Sequence, residues 1–199
     1  MLAYHNKESI KTKYLDRVAA HAAADEIIQG QYWEGGKGCA VGCTIHGSNH
    51  SKYETELGVP ESLAHLQDAL FEALPLERAK LWPGQFLAAI KVGADLSGVC
   101  RQYIAWSVRD LAGAIKKPGI KAIVERMATL MERSLAGDEP SETEWSEAAR
   151  DAQVSWDAWD AWEAWAAISA RGARDAVVIR YADKLLELLS AAPIPHAAP

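Results

Sequence analysis

Twenty-two residues, Gly35–Glu56 (GGKGCAVGCTIHGSNHSKYETE), interrupt an otherwise helical pattern and so decide what the rest of the chain can build around. They hold five glycines, two of the three cysteines (Cys39 and Cys43) and two of the six histidines (His46 and His50). Glycine at this density lets the backbone turn and approach itself closely, which a continuous helix would not need. On both sides of the segment, apolar residues recur at three- and four-residue intervals, the period of a helix with one buried face.

Asn6 is a good N-cap, and Ile10, Tyr14, Val18 and Ala22 follow at four-residue spacing, which predicts a first helix ending near Gly30. His21 and Asp25 would share a face of it. Ser51 to Leu57 predicts one or two turns closed by Gly58. Pro60 opens a helix carrying Leu63, Leu66, Leu70, Phe71 and Leu74. A short helix from Leu76 to Trp82 and another beginning at Pro83 come next. Asp95 can cap a helix reaching Ile115. Pro118 and Gly119 make a turn before the strongly periodic Ile120–Leu135, closed near Gly137. Ser141 followed by Glu144 is a capping-box pattern. The last amphipathic pattern runs through Val178, Tyr181, Leu185 and Leu188. No stretch alternates as a strand does, and Ala40–Ile45 is the nearest candidate. The expected fold is all-α, a single helical domain of about six to eight helices with an irregular glycine-rich N-terminal segment. Its expected parts are a helical core over 1–137 containing the glycine-rich stretch 30–52, an acidic Ala/Trp-rich helical region over 138–192, and a disordered tail over 193–199.

Charge excludes some functions. The net charge is −6, and nine acidic residues against one basic (Arg150) fall between Asp138 and Glu163. No basic footprint for nucleic acid is present. No apolar run approaches the roughly 20 residues of a membrane span. The N-terminus lacks an apolar core followed by a small-residue cleavage site. An odd number of cysteines fits a reducing compartment. The expected location is cytoplasmic.

Trp156, Trp159, Trp162 and Trp165 recur every three residues within WDAWDAWEAW. Three helical residues turn about 300°, so the rings wind across the helix surface instead of lining up. Leaving four such rings in water is costly. The helix must be covered by its own chain, by another copy or by a protein partner, with Asp157 and Asp160 beside the rings. Intervening acidic residues repel phosphate and argue against base stacking.

Four segments carry a resemblance: MLAYHNKESIKTKYL at the start, GCAVGCTIHGSNHSKYETELGVP, WPGQFLAAI and the Ala/Trp-rich repeat ending in YADKLLELL. Together they resemble an uncharacterised group of proteins associated with bacteriophages, prophages and their hosts. The resemblance covers most of the chain. It implies no activity, and it implies a small accessory or anti-defence role by association alone. Relatives of that group carry Ser/Ala/Trp/Arg/Glu repeats where this chain has a short acidic one.

Cys39, Cys43, His46 and His50 are four donors in twelve residues, of types that suit zinc. On one continuous helix they would span about 16 Å, too far for one ion, so a four-ligand site requires the segment to fold back at Gly42 and Gly47. His21 or Glu54 are further donors. A second reading makes Cys39 a nucleophile, with His46 or His50 as base and Glu54 or Asp25 orienting it. A third makes Cys39, Val41 and Cys43 small buried residues of a tight connection, with His50 and Ser51 as helix caps. Cys100 falls on the apolar side of its helix pattern. The leading functional expectation is a non-enzymatic protein acting by protein–protein binding or self-association. The alternative is a small metal- or cysteine-dependent enzyme centred on residues 39–54, with Cys39, His46, His50 and Glu54 as catalytic candidates.

Overall fold

The computed structural model describes residues 1–157 and 171–195. After a short turn at Ala3–Asn6 come α1 (Glu8–Ala23), β1 (Trp33–Glu34), β2 (Lys37–Gly38) and α2 (Ala40–Ile45). A π-helical turn at Tyr53–Leu57 leads to α3 (Glu61–Ala73), α4 (Leu76–Ala89), α5 (Val99–Ala114), α6 (Pro118–Leu135), α7 (Glu142–Asp157) and α8 (Arg171–Ala191). The protein is all-α, apart from a two-stranded antiparallel hairpin pairing Trp33 with Gly38. It divides into two compact units, one of Met1–Cys100 with Asp175–Pro199, the other of Arg101–Arg174.

In the first unit, α1 packs along α4, and α2 is enclosed by α1, α3 and α4. Tyr14 and Val18 of α1, Phe71 of α3, and Trp82, Phe86 and Leu87 of α4 are buried. Trp82 donates its indole N–H to the Gln67 carbonyl at 2.9 Å, so the largest core side chain also satisfies its polar atom. Leu185 and Leu189 of α8 are buried, and Arg78 pairs with Asp183 at 2.6 Å. Beyond α8, the Pro193 carbonyl accepts the Asp95 N–H at 2.8 Å, and residues 196–199 of the expected tail lie outside the described residues.

The N-terminus corrects one expectation. Tyr4, His5 and Asn6 all have positive φ, a left-handed turn of three non-glycine residues, so Asn6 is no N-cap and α1 starts at Glu8 after an extended Lys7. Such residues cost about 1–2 kcal/mol each and persist only where their surroundings fix them. Here the surroundings do. Ala3 exchanges two backbone hydrogen bonds, both 2.9 Å, with Ala94 and Gly93, and the buried Tyr4 hydroxyl donates to the Leu87 carbonyl at 2.6 Å.

Three further boundaries differ from the sequence pattern. First, α1 stops at Ala23, because Asp25 takes the left-handed position (φ 54°) and the Glu26 N–H reaches back to the His21 carbonyl, closing the helix seven residues before its expected end near Gly30. Second, α4 runs through Pro83 without a break. Pro83 removes one hydrogen bond, and burial of Trp82, Pro83, Phe86 and Leu87 holds both halves on one axis. Third, Ala40–Ile45 is helix, while the hairpin lies just before it around Gly35–Gly36, with φ of 58° and 86°. A Gly-Gly pair with both φ positive is a two-residue hairpin turn, and it is the signal for this hairpin.

In the second unit, α6 ends before Gly137 at φ 85°, as the pattern predicts, but it begins at Pro118, so Pro118 and Gly119 form its first turn and not a separate one before Ile120. The capping box at α7 forms: the Glu144 N–H meets Ser141 Oγ at 3.2 Å, and the Ser141 N–H meets Glu144 Oε2 at 2.8 Å. The acidic block faces arginines of α6. Arg126 binds Glu147 and Asp151, and Arg133 binds Asp138 and Glu144. The Arg133 hydrogen bond holds the Glu144 carboxyl down to about 2.

Among the glycines pressed against backbone, Gly42 is the tightest. A Cβ on Gly42 would lie 1.6 Å from the Tyr32 carbonyl oxygen, whereas one on Gly47 would meet nothing within 4 Å. Gly42→Ala is expected to destabilise the protein by about 3 kcal/mol and Gly47→Ala by less than about 1 kcal/mol. Urea unfolding of both variants, followed by circular dichroism, measures the difference.

Candidate metal centre

The centre is built on the short helix α2, whose residues Ala40–Ile45 are all buried. Cys39 caps it, its sulfur accepting the Gly42 N–H at 3.4 Å. The Thr44 hydroxyl donates to the Ala40 carbonyl at 2.7 Å, and Arg17 reaches the Thr44 carbonyl at 2.8 Å. The loop before α2 is pinned as firmly. The Cys39 N–H donates to the carbonyls of Gln31 and Tyr32 at 2.7 and 3.1 Å, and Gly38 and Gly42 both press on that Tyr32 carbonyl. The Cys39 backbone is therefore fixed from both directions.

Against Cys39 lies α3. Asp68 and Glu72, one turn apart, bring a carboxylate oxygen each to the Cys39 sulfur, and the three atoms lie within 4.8 Å of one another. This is the one group of three or more such donors able to hold an ion among the described residues. The Gly30 N–H holds Glu72 Oε2 at 2.8 Å, and Gly30, Gln31, Tyr32, Asp68 and Glu72 line a cavity of about 210 Å3. His50 Nε2 lies 3.4 Å from Asp68 Oδ2. Its ring stacks on His65 (centroids 4.2 Å apart, planes at 12°) and meets Tyr32 edge-on.

Two atoms of this centre are orphaned. His50 Nε2 and Asp68 Oδ1 are buried and have no hydrogen-bond partner among the described residues, and each residue is 8% exposed. A buried polar atom left without a hydrogen bond costs about 1–3 kcal/mol; His50 Nε2 keeps the 3.4 Å contact with Asp68 Oδ2, and Asp68 Oδ1 is left without a donor.

Electrostatics separate the chemistries open to Cys39. Burial, and then the Asp68 carboxylate beside it, push its thiol up to about 12. A nucleophile must be a thiolate near neutral pH and needs a cation close by, whereas the neighbour here is an acid. A metal ion reverses that balance: it deprotonates the thiol and is attracted by the same carboxylates that raise it. Glu72 is an exposed residue, and partial desolvation raises its carboxyl. The arrangement suits a metal ligand and not a free nucleophile.

The residues singled out from the sequence are distributed over several places. Cys39 and His50 belong to the centre just described. The Cys43 sulfur is buried and donates to the carbonyls of Gly38 (3.3 Å) and Glu26 (3.6 Å), and burial pushes that thiol up to about 12 as well. His46 ends α2 in the left-handed conformation (φ 52°), stacks on Trp33 (4.6 Å, 13°) and faces His21, Nε2 to Nε2, at 2.9 Å. His21 Nδ1 meets Glu26 Oε2 at 2.6 Å, while Asp25, its expected neighbour, pairs with Lys80 at 2.6 Å. Glu54 accepts the Glu61 N–H at 3.1 Å and so caps α3. Cys100 is partly exposed. The side chains of Trp156 and Asp157, and all of Trp159, Asp160, Trp162 and Trp165, lie outside the described residues.

Sequence reasoning missed Asp68 and Glu72. The available signal was an acidic pair four residues apart with Asp68 next to the apolar stripe of α3, where it is buried beside Gln67.

Both buried thiols make testable statements about reactivity and pH. In metal-free native protein, Cys100 is expected to react with a thiol reagent at pH 8 well before Cys39 and Cys43, and all three should react once denatured; mass spectrometry of the labelled sites checks the order. Keeping Cys43 protonated stabilises the fold fully below the ordinary thiol value of 9.0, and that contribution is lost as pH rises toward about 12. The thermal midpoint should therefore fall from pH 9 upward, and fall less in Cys43→Ala.

No protein-family model, curated protein or solved structure matches the chain, so its function is argued from this geometry alone.

Proposed function

We propose that the chain is a small metal-dependent enzyme whose ion is held by Cys39, Asp68 and Glu72. The observation that carries this reading is the convergence of one thiol and two carboxylates within 4.8 Å, next to His50 Nε2, which lies 3.4 Å from Asp68 Oδ2, and to Asp68 Oδ1, which accepts no hydrogen bond. Zinc suits the set: one thiolate with oxygen donors is a borderline-soft environment, and three protein ligands leave a position open, as catalytic zinc sites do. The open position would face the cavity lined by Tyr32 and Gln31. A zinc-bound water ionises near neutral pH, which makes hydrolysis the fitting reaction class. His50 lies beside the ligand set and not in it, and would serve there as the general base of a hydrolysis at an acyl or phosphoryl centre. His65 and Tyr32 fix the plane of its ring.

A second reading is a phage-type accessory protein, cytoplasmic and possessing anti-defence activity, that acts by binding another protein or itself through Trp156, Trp159, Trp162 and Trp165. A pocket of about 310 Å3 in the second unit, lined by the apolar Ile104, Met131, Leu135 and Trp145 and by the polar Arg101, Ser134 and Glu139, favours a binding role for that region. The Arg126 and Arg133 pairs weigh against a basic partner, since they already occupy Asp138, Glu144, Glu147 and Asp151. Among the described residues, no helix is long and apolar enough to cross a membrane.

The enzyme reading predicts one tightly held zinc per chain in protein purified without chelator. Cys39→Ser and Asp68→Asn should each lose the metal while retaining the helical circular dichroism. His50→Gln should keep the zinc and lose at least about 100-fold in hydrolysis of an activated ester or phosphoester. Metal-free protein, or zinc that survives both ligand substitutions, contradicts the proposal. Trp159→Ala and Trp162→Ala should leave zinc and hydrolysis unchanged.

A further inference from the structure

At the far end of α2 the imidazoles of His21 and His46 point nitrogen to nitrogen, with Nε2 atoms 2.9 Å apart. With Glu26 on His21 Nδ1, the His46 Nε2–H donates to His21 Nε2, so both nitrogens point at one spot where an ion can take the place of that proton. From this geometry we infer a second metal site, formed by His21 and His46 and selective for an ion of tetragonal preference such as nickel(II) or copper(II).

The distance distinguishes between coordination geometries. Metal–imidazole bonds of about 2.0–2.1 Å put two nitrogens about 2.9 Å apart when they meet the ion at a right angle, and about 3.3 Å apart at a tetrahedral angle. The 2.9 Å of the N–H···N bond equals the right-angle value, so an ion of square-planar or octahedral preference replaces the proton with little movement of the rings.

Three features around the pair fit the role. Glu26 Oε2 takes the other ring nitrogen of His21 at 2.6 Å, the carboxylate–histidine arrangement that fixes the tautomer and leaves Nε2 free to bind. Trp33 stacks flat on His46 and meets His21 edge-on, so one indole sets both ring planes. His46 occupies a left-handed position where glycine or asparagine would be less strained, and such conformations cluster at functional sites. The charges nearby are favourable in sum. Glu26 and Glu56 are acidic, and the one cation acting on His46, Arg17, is engaged with the Thr44 carbonyl. Burial, and then Arg17, lower the His46 pKa, which keeps that ring neutral and able to coordinate at neutral pH. Binding moves the His46 proton from Nε2 to Nδ1, so the neutral rings take up the ion without releasing a proton.

Nickel(II) titration of zinc-loaded protein by calorimetry, in two buffers of different ionisation enthalpy, tests this. One nickel per chain with no proton released is expected, so the binding enthalpy should be the same in both buffers. His21→Gln and His46→Gly should each weaken binding by at least 10-fold, and glycine is chosen because it accepts the backbone conformation at position 46. Glu26→Gln should weaken it 10- to 100-fold. Cys39→Ser should leave it unchanged, which separates this site from the zinc centre: the failure of either proposal is read independently of the other. No nickel binding, unaltered binding in both histidine variants, or loss confined to Cys39→Ser would overturn the inference.

Discussion

The Tyr32 carbonyl, wedged between Gly38 and Gly42, is the contact on which the first unit depends. A Cβ at Gly38 or Gly42 would stand 2.1 or 1.6 Å from that oxygen, so the loop and α2 lie closer than any other residue permits. The same oxygen accepts the Cys39 N–H. This single approach orders the hairpin, starts α2, and aims one end of that helix at α3 and the other at α1. It explains why glycines are concentrated here in an otherwise helical chain: they serve proximity, and only some serve turns.

From that contact the two candidate sites follow as opposite ends of one six-residue helix. Cys39, at its start, meets Asp68 and Glu72. His46, just past its end, meets His21. The buried residues between them leave no freedom for either end to move alone. Precision of this kind is what a site needs, and it is supplied by the core instead of by a network of surface pairs. The left-handed turn at Tyr4–Asn6 serves the same end, since its His5 ring holds the Thr55 carbonyl at 3.1 Å in the turn leading to α3.

Much of this architecture was legible where one local signal met no competition. Ser141 and Glu144, and Gly137, sit where capping chemistry alone places them. The reading went astray where tertiary structure overrode a local preference. Asn6 has the side chain of an N-cap and the backbone tolerance of a left-handed turn, and the Ala3–Ala94 pairing selected the second. Pro83 would end an isolated helix, but burial of both flanks kept α4 whole. Gly30 resembles a helix terminator, yet Asp25 reached the left-handed position first. The site was half legible for a related reason. Cys39 and His50 stand out by residue type, whereas Asp68 and Glu72 are acidic residues on a helix, ordinary until α2 is seen against them. Spacing in sequence grouped Cys43 and His46 with Cys39, and the turns of a short helix then sent the three side chains to different neighbours.

The central claim is that Cys39, and not the Cys39–Cys43 pair, brings sulfur to the ion. X-ray absorption at the zinc edge of the holoprotein measures this directly. The account predicts a first shell with one sulfur at about 2.3 Å and the remaining ligands oxygen or nitrogen at about 2.0–2.2 Å. A shell with two sulfurs would restore Cys43 as a ligand and require α2 to be unwound. A shell with none would show that the ion never reaches Cys39.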